Sequence, residues 1–188
     1  MIMVFDLSLH PGHKSLRMSY RDYAAGIYFV TICTYDRRPT LAKIEKGTVH
    51  LSSIGTIVKE RWLQIPTHHP QTALHSFVVM PNHFHGLLEL TTHVDVPANA
   101  ALTRREFGPN SVPSASLSAV VRSFKSGVTK HVRERLSVMS DIWQRNYFER
   151  VIRSGKEFDA ATRYIIENPL KWEMDEENPE GVKTRRPR

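Results

Sequence analysis

Residues 77–90, FVVMPNHFHGLLEL, decide the fold, because a polar turn in this stretch separates two apolar runs. The runs 77–80 and 84–90 have the length and the apolar content of two buried strands. Pro81 and Asn82 between them are residue types that favour a tight corner. The stretch is therefore predicted to form a hairpin of two strands.

A pair of histidines begins the second predicted strand. Side chains alternate between the two faces of a sheet, so His83 and His85 share one face and Phe84 points to the other. Two imidazoles on one face can converge on a single divalent metal ion. Two partly exposed histidines without a ligand fit the same pattern, so the pair needs a further constellation before it indicates a metal site.

The composition predicts one domain outside the membrane. The chain has 188 residues, of which 40% are hydrophobic, enough for one full core and too few for two large domains. No apolar run approaches the roughly 20 residues that a membrane span needs, and the start lacks the pattern of a signal peptide. Because Cys33 is the only cysteine, we expect no disulfide framework and a cytoplasmic location. The net charge of +7 favours a polyanionic partner.

The order of the predicted elements indicates the α+β class. These elements are a strand (27–35), a hairpin (41–51), a helix (53–65), the hairpin in residues 77–90, a long helix (114–136), a short extended piece and a last helix (156–168). A single antiparallel sheet with helices packed on one face fits this order. The simplest version is a ferredoxin-like or RRM-like βαββαβ plan. Residues 1–22 are predicted to form a basic arm, 23–172 the domain, and 173–188 a charged tail.

Local signals mark the ends of several predicted helices. Ser52 or Ser53 can cap the first helix, and Pro66 is expected to end it. Ser154 and Glu157 have the spacing of a capping box at the start of the last helix. Pro169 is expected to stop that helix after residue 168.

Basic residues concentrate in two places. Arg122, Lys125 and Arg133 recur on one face of the long helix, which fits contacts to phosphates and equally fits a solvated charged face. Arg104 and Arg105 lie in a loop of about twenty residues, and loops of that length in a compact domain are usually functional or disordered.

Tyr147, in the segment WQRNY, is the candidate nucleophile. A metal held by His83 and His85 could act as a Lewis acid on a phosphodiester, and the tyrosine could then attack phosphorus to form a covalent phosphotyrosine. An isolated tyrosine is more often a packed aromatic ring that has a hydrated hydroxyl. Only Glu89 and Glu149 offer carboxylates near this constellation, which argues against a two-metal nuclease.

Five blocks of the sequence, in order, resemble the REP-associated tyrosine transposases of the HUH single-tyrosine superfamily. They span most of the chain and read YFVTICTYDRR, FVVMPNHFHGLLEL, SLSAVVRSFKSGVTK, IWQRNYFERVIR and YIIENPLKW. The resemblance implies an RRM-like HUH fold and a DNA cleavage and joining activity that depends on Mg²⁺ or Mn²⁺. It also implies single-stranded DNA substrates, typically short palindromes that fold into hairpins.

The resemblance also implies roles for individual residues. By position, His83 and His85 match the metal pair, and Tyr147 matches the nucleophile that becomes linked to a 5′-phosphate. Relatives often carry a histidine, a metal ligand, where this chain has Arg150, and an arginine cannot coordinate a cation. Either Glu149 or water then completes the metal site, or metal binding is weaker and Arg150 grips phosphate instead.

The residues together with the resemblance predict a metal-dependent endonuclease and strand transferase; that it acts on hairpin DNA through a covalent 5′-phosphotyrosine is what the resemblance implies. The alternatives are a hairpin DNA- or RNA-binding protein on the same fold, and a nuclease that uses water. DNA contacts are predicted for Arg104, Arg105, Arg122, Lys125, Arg133, Gln144 and Arg150. A monomer is expected, with a homodimer as the alternative, in the cytoplasm and associated with the nucleoid.

Overall fold

A computed structural model of the chain describes residues 25–91, 116–175 and 177–178. Its helices and strands, in chain order, are β1 (Gly26–Cys33), β2 (Ala42–Glu45), β3 (Thr48–Leu51), α1 (Ser53–Leu63), α2 (Ile65–His68), β4 (Thr72–Val79), β5 (His83–Leu90), α3 (Leu117–Leu136), β6 (Phe148–Ile152) and α4 (Gly155–Lys171). The predicted arm over residues 1–22, the long loop with Arg104 and Arg105, and most of the predicted tail lie outside the described residues.

Four strands form one antiparallel sheet in the order β4-β5-β1-β6. The predicted hairpin of residues 77–90 is the pair β4-β5, and β2-β3 forms a separate two-stranded hairpin. With α1 between β1 and β4, and α3 between β5 and β6, this is the ferredoxin-like, RRM-like plan. The predicted α+β fold is confirmed.

The main core lies on the sheet face that α1 and α3 cover. Trp62 on α1 is fully buried at its centre, with its ring 4.6 Å from that of Phe84 on β5 and 5.4 Å from that of Phe124 on α3. Gly86 lies beneath this indole, and a Cβ at that position would come within 2.5 Å of the Trp62 ring. The close approach of helix to strand at this point therefore requires glycine.

The opposite face of the sheet is covered by α4. Ala161 and Ile165, one turn apart on α4, pack against Phe29 of β1 and Leu87 of β5. The helices therefore cover both faces of the sheet, whereas the order of the elements predicted them on one. The physical reason is that both faces of β1 and β5 carry apolar side chains, and each face must be buried.

The predicted helix caps are confirmed. The Ser52 hydroxyl accepts a hydrogen bond of 3.0 Å from the Gly55 N–H at the start of α1. The Ser154 hydroxyl accepts one of 3.2 Å from the Glu157 N–H at the start of α4, and the Glu157 carboxylate accepts one from the Arg153 N–H. Side-chain oxygens thus satisfy backbone donors that the first turn of a helix leaves unpaired.

Both predictions that a proline ends a helix are wrong in detail. Helix α1 ends at Leu63, and Pro66 lies in the first turn of α2, where its missing N–H costs no helical hydrogen bond. Helix α4 continues through Pro169 to Lys171. A proline one turn from the end removes a single hydrogen bond, and the buried Pro169 compensates by packing.

Among the described residues, no helix is long and apolar enough to cross a membrane.

Candidate active site

His83 and His85 lie on the sheet face that α4 covers. Their exposed fractions are 2% and 1%, and their ring centroids are 4.6 Å apart. In the sheet register His85 lies opposite Thr31, and His83 opposite Cys33. The predicted convergence of the two imidazoles on one face is confirmed.

Hydrogen bonds orient both imidazole rings. Nδ1 of His85 is joined to the Thr31 hydroxyl at 2.8 Å, and Nδ1 of His83 to the Asn82 side-chain oxygen at 2.8 Å. Because an amide oxygen can only accept, Nδ1 of His83 carries the proton and its Nε2 has a free lone pair. Outer hydrogen bonds of this kind fix the tautomer of metal-binding histidines.

Both histidines are uncharged at neutral pH. Burial lowers the pKa of His85 to about 3, and the nearby charge of Arg37 acts in the same direction. Burial also lowers the pKa of His83 well below its ordinary value, with further contributions from His85 and Arg37. Neutral imidazole is the form that binds metals.

Tyr164 on α4 is the tyrosine that contacts the histidine pair. Its ring centroid lies 5.3 Å from that of His85 and 5.9 Å from that of Phe29. Burial raises the pKa of the Tyr164 phenol, and Asp175 and Glu177 raise it further, whereas a side-chain hydrogen bond from Asn168 lowers it. The phenol is thus protonated at neutral pH.

Asn168 lies on α4 between two residues that each contact one of the histidines. The residue one turn before it, Tyr164, contacts His85, and the residue one turn after it, Trp172, lies 6.1 Å from His83 between ring centroids. Its exposed fraction is 3%. Its side chain and the Tyr164 phenol are hydrogen-bonded partners.

Two buried polar atoms around Tyr164 have no hydrogen-bond partner among the described residues: Nε2 of His85 and Oδ1 of Asn168. Buried polar atoms are rarely left without a partner unless a ligand or water satisfies them. Together with Nε2 of His83, these are two imidazole nitrogens and one amide oxygen, atom types that a divalent cation accepts as ligands. Within the described ranges, no group of three His, Cys, Asp or Glu side chains could hold a metal.

The histidine pair is covered in this structure. The backbone oxygen of Glu177 accepts a hydrogen bond of 2.7 Å from the Asn82 amide, and the Glu177 carboxylate forms an ion pair with Arg37 at 2.5 Å. The cavity that remains beside His83 measures about 10 Å³, no more than one water occupies. In this conformation a nucleic acid cannot reach the histidines unless Glu177 moves away from Asn82 and Arg37.

The structure does not bring Tyr147 or Glu149 to the histidines. Glu149 lies opposite Val30 in the sheet register and so points to the α3 face. The Tyr147 hydroxyl lies 3.2 Å from that of Ser118 on α3. The physical reason is the two-residue period of β6, which turns Phe148 to the histidine face and Glu149 to the α3 face. Tyr147, just before the strand, packs against the main core on the α3 face.

The residues predicted to contact DNA are divided between the two faces. Arg150 lies opposite Phe29 on the histidine face, 3.5 Å from the Glu157 carboxylate. Arg122 and Arg133 line a groove along α3, as their spacing predicted.

Lys125 and Gln144 have structural contacts. Nζ of Lys125 donates hydrogen bonds to the carbonyl of Gln144 at 2.6 Å and to that of Arg145 at 3.0 Å. The Gln144 N–H donates to the carbonyl of Cys33. Contact with DNA stays a prediction for all of these residues.

Sequence reasoning missed Tyr164 and Asn168. Their spacing of four residues, in the block YIIENPLKW, places both on one helix face with Ala161 and Ile165. That stripe contains a tyrosine and an asparagine among apolar residues. Polar residues on an otherwise apolar helix face were the signal in the sequence that could have identified these two as candidate site residues.

The chain is 36% identical over 165 residues to an uncharacterized protein of Haemophilus influenzae, covering 87% of this chain and 91% of that protein. It is 28% identical over 153 residues to a second Haemophilus influenzae protein, whose name assigns it to the REP-associated tyrosine transposases; this match covers 80% of the chain and 74% of the relative. No family model matches.

A solved structure of a REP-associated tyrosine transposase bound to a REP hairpin has the same fold. Its TM-score is 0.57 at 20% identity, and the match covers 85% of this chain and 74% of that one. The chain therefore shares the fold of that transposase, and its sequence is similar to the relative that is named a REP-associated tyrosine transposase.

Proposed function

We propose that the protein is a metal-dependent endonuclease and strand transferase that acts on hairpin DNA, with Tyr164 as its nucleophile. The observation that carries this proposal is the ring contact between Tyr164 and His85 on the α4 face of the sheet. The DNA substrate is suggested by the relative that is solved with a REP hairpin bound. The expected monomeric state and cytoplasmic location stay predictions.

The geometry favours Tyr164 over Tyr147 as nucleophile. Tyr147 lies on the far side of the sheet and contacts Ser118, so its hydroxyl and the histidine pair cannot act on one phosphorus atom without a rearrangement of β6. Tyr164 needs no such rearrangement, since it already contacts His85.

His83, His85 and Asn168 would hold the Mg²⁺ or Mn²⁺ ion, through the two Nε2 atoms and the amide oxygen. When bound there, the ion supplies Lewis-acid chemistry that neutralises charge on phosphoryl oxygens. Thr31 and Asn82 keep the rings in the orientation that aims Nε2 away from the strand. Glu149, proposed from the sequence as a ligand, lies on the other face.

The proposed reaction is a transesterification. The Tyr164 oxygen forms a bond to phosphorus, the bond between phosphorus and the 3′ oxygen breaks, and the phenol loses its proton while the leaving 3′ oxygen gains one. The 3′ fragment of DNA stays linked to the protein through its 5′-phosphate. Since the phosphodiester energy is kept, a free 3′ hydroxyl can reverse the step and join strands.

Two further side chains on the histidine face could contact the DNA. Phe148 is 41% exposed at the start of β6 and could stack on a base. Arg150 carries a guanidinium suited to phosphate, and it lies on the same face.

The test uses a single-stranded hairpin DNA labelled at its 3′ end, incubated with purified protein and Mn²⁺ and resolved by denaturing electrophoresis. We expect a labelled protein band for the unchanged protein and for Tyr147→Phe, and none for Tyr164→Phe or with EDTA. A band in Tyr164→Phe that disappears in Tyr147→Phe would restore the assignment of Tyr147.

A hairpin-binding protein without cleavage is the second candidate. It is favoured by the covered histidine pair and by Arg150, which stands where the family resemblance implies a histidine. Binding of several hairpins without any covalent band, in Mg²⁺ and in Mn²⁺, would select this candidate.

A further inference from the structure

A groove of about 670 Å³ runs along α3, on the sheet face opposite to the histidine pair. One wall is formed by α3 and the other by residues 145–147, just before β6. Its charged lining residues are Arg122, Lys125, Lys130, Arg133, Glu134 and Arg145. Five cations and one carboxylate give the lining a net charge of +4, from 5 − 1.

The positive charge of this groove is not compensated within the described part of the chain. The one lining carboxylate, Glu134, lies 3.8 Å from Lys130. No described carboxylate forms an ion pair with Arg122, Arg133 or Arg145. Unpaired cations that line a groove attract an anion, and guanidinium groups match the geometry of phosphate.

Lys125 shapes the groove wall. Its ammonium group donates to three successive carbonyls, those of Gln144, Arg145 and Asn146, at 2.6, 3.0 and 3.3 Å. These bonds use its three N–H donors and fix the turn that presents the Arg145 side chain. The groove is therefore held in shape by α3.

The groove also offers an aromatic surface. Tyr147 lines it with a half-buried ring, next to the buried Val121. A basic groove with an aromatic side chain is the arrangement that binds single-stranded nucleic acid, because the cations contact the backbone and the ring stacks on a base. A volume of this size accommodates a ligand as large as a nucleotide.

The groove is joined to the histidine site by two consecutive residues. Tyr147 lines the groove, and Phe148, the next residue, lines the cavity beside His83 on the other face. Both lie at the start of β6, the terminal strand of the described sheet. A strand of DNA could therefore pass from one face to the other around β6.

We propose that this groove binds a nucleotide of the DNA strand whose phosphodiester enters the histidine site, with that strand passing around the edge of β6. The inference rests on the proposed function for the identity of the nucleic acid. The groove is a second binding site for the DNA, on the far side of the sheet. Binding there would fix the distance between the bound nucleotide and the phosphodiester that is cleaved.

The test measures binding in EDTA, where no cleavage occurs. Fluorescence anisotropy compares three labelled DNA hairpins: one without overhang, one with a ten-nucleotide single-stranded 5′ extension and one with a 3′ extension. The variants are Arg122→Gln and Arg145→Gln, with Lys59→Gln on the exposed side of α1 as the charge-matched control. Circular dichroism verifies that each variant is folded.

We expect Arg122→Gln and Arg145→Gln to weaken binding of at least one extended hairpin severalfold. The slope of the logarithm of the affinity against the logarithm of the salt concentration should become shallower by about 0.7 for each lost phosphate contact. Binding of the hairpin without overhang should change no more than it does in Lys59→Gln. Equal losses for all three hairpins, or none, would overturn the proposal. Tighter binding of an RNA hairpin of the same sequence would also overturn it.

The aromatic wall is tested separately. Tyr147→Phe keeps the ring and should keep the affinity for the extended hairpin, whereas Tyr147→Leu should lose about fivefold or more. Equal affinities for Tyr147→Leu and the unchanged protein would remove the stacking role. Because these measurements need neither metal nor covalent chemistry, a failure of the groove is distinguishable from a failure of Tyr164 to form the adduct.

Discussion

Tyr164 lies in ring contact with His85, with centroids 5.3 Å apart, although one residue belongs to α4 and the other to β5. This contact is the reason for proposing Tyr164 as the nucleophile in place of Tyr147. Tyr147, which immediately precedes β6, contacts Ser118 on the opposite side of the sheet. The proposal of Tyr164 therefore depends on how α4 crosses the sheet.

Metal binding should depend on His83, His85 and Asn168. We expect Mn²⁺ to raise the thermal unfolding temperature of the unchanged protein, because an ion that binds only the folded state stabilises it. His85→Ala should abolish this rise, and Asn168→Ala should weaken Mn²⁺ affinity tenfold or more. Isothermal titration with Mn²⁺ measures the affinities.

Glu149→Gln is the matched control for the metal site, since Glu149 lies on the α3 face. It should bind Mn²⁺ as the unchanged protein does. If Glu149→Gln lost Mn²⁺ binding while Asn168→Ala kept it, Glu149 and not Asn168 would be the metal ligand.

The metal-free protein should lose stability in mild acid. The folded-state pKa of His85 is about 3 and its ordinary value is 6.5, so the unfolded chain binds the proton first. The stability that depends on the neutral His85 ring is therefore fully present above pH 6.5 and is lost as the pH falls toward 3. In this window each buried neutral histidine lowers the free energy of unfolding by about 1.4 kcal/mol for each unit by which the pH falls.

Urea unfolding midpoints at pH 7, 6 and 5 in EDTA measure this dependence. His85→Gln should show a shallower decline than the unchanged protein, and His50→Gln, at an exposed position on β3, serves as the control. Identical midpoints at pH 7 and pH 5 would contradict the burial of two neutral imidazoles.

The parts of the fold that sequence reasoning predicted correctly are set by local signals. The turn at Pro81-Asn82, the shared face of His83 and His85, and the caps at Ser52 and Ser154 depend on neighbouring residues alone. Such signals act within a few residues of the chain, so a single sequence contains them.

The parts that it missed are set by long-range packing. The two-residue period shows that Tyr147 and Phe148 face opposite ways, but the pairing of β6 with β1 decides which of them faces the histidines. Likewise Asn168 becomes a candidate ligand only because α4 packs on Phe29 and Leu87. Neither fact has a local cause.

Covalent adduct formation should accelerate with rising pH. Burial and the charges of Asp175 and Glu177 raise the pKa of Tyr164, so the reactive phenolate is scarce at neutral pH and increases about tenfold for each pH unit. Asp175→Asn removes one of these charges and should therefore increase the initial rate at pH 7. Single-turnover assays with Mn²⁺ between pH 6.5 and 9 measure it.

The charge-matched control for this effect is Asp159→Asn, at an exposed position on α4. Its rate should equal that of the unchanged protein. A slower reaction in Asp175→Asn would mean that Asp175 assists the reaction in another way.

Gly86, which directly follows His85, should tolerate no side chain. A Cβ at this position would lie 2.5 Å from the Trp62 ring and 2.9 Å from that of Phe84. We expect Gly86→Ala to lower the free energy of unfolding by roughly 1–3 kcal/mol, because both rings are buried and cannot move aside. Gly155→Ala is the matched control: no atom lies within 4 Å of the added methyl, and the change should be neutral or stabilising. Urea denaturation followed by tryptophan fluorescence compares the two variants, and equal stability would mean that Trp62 can shift away from β5.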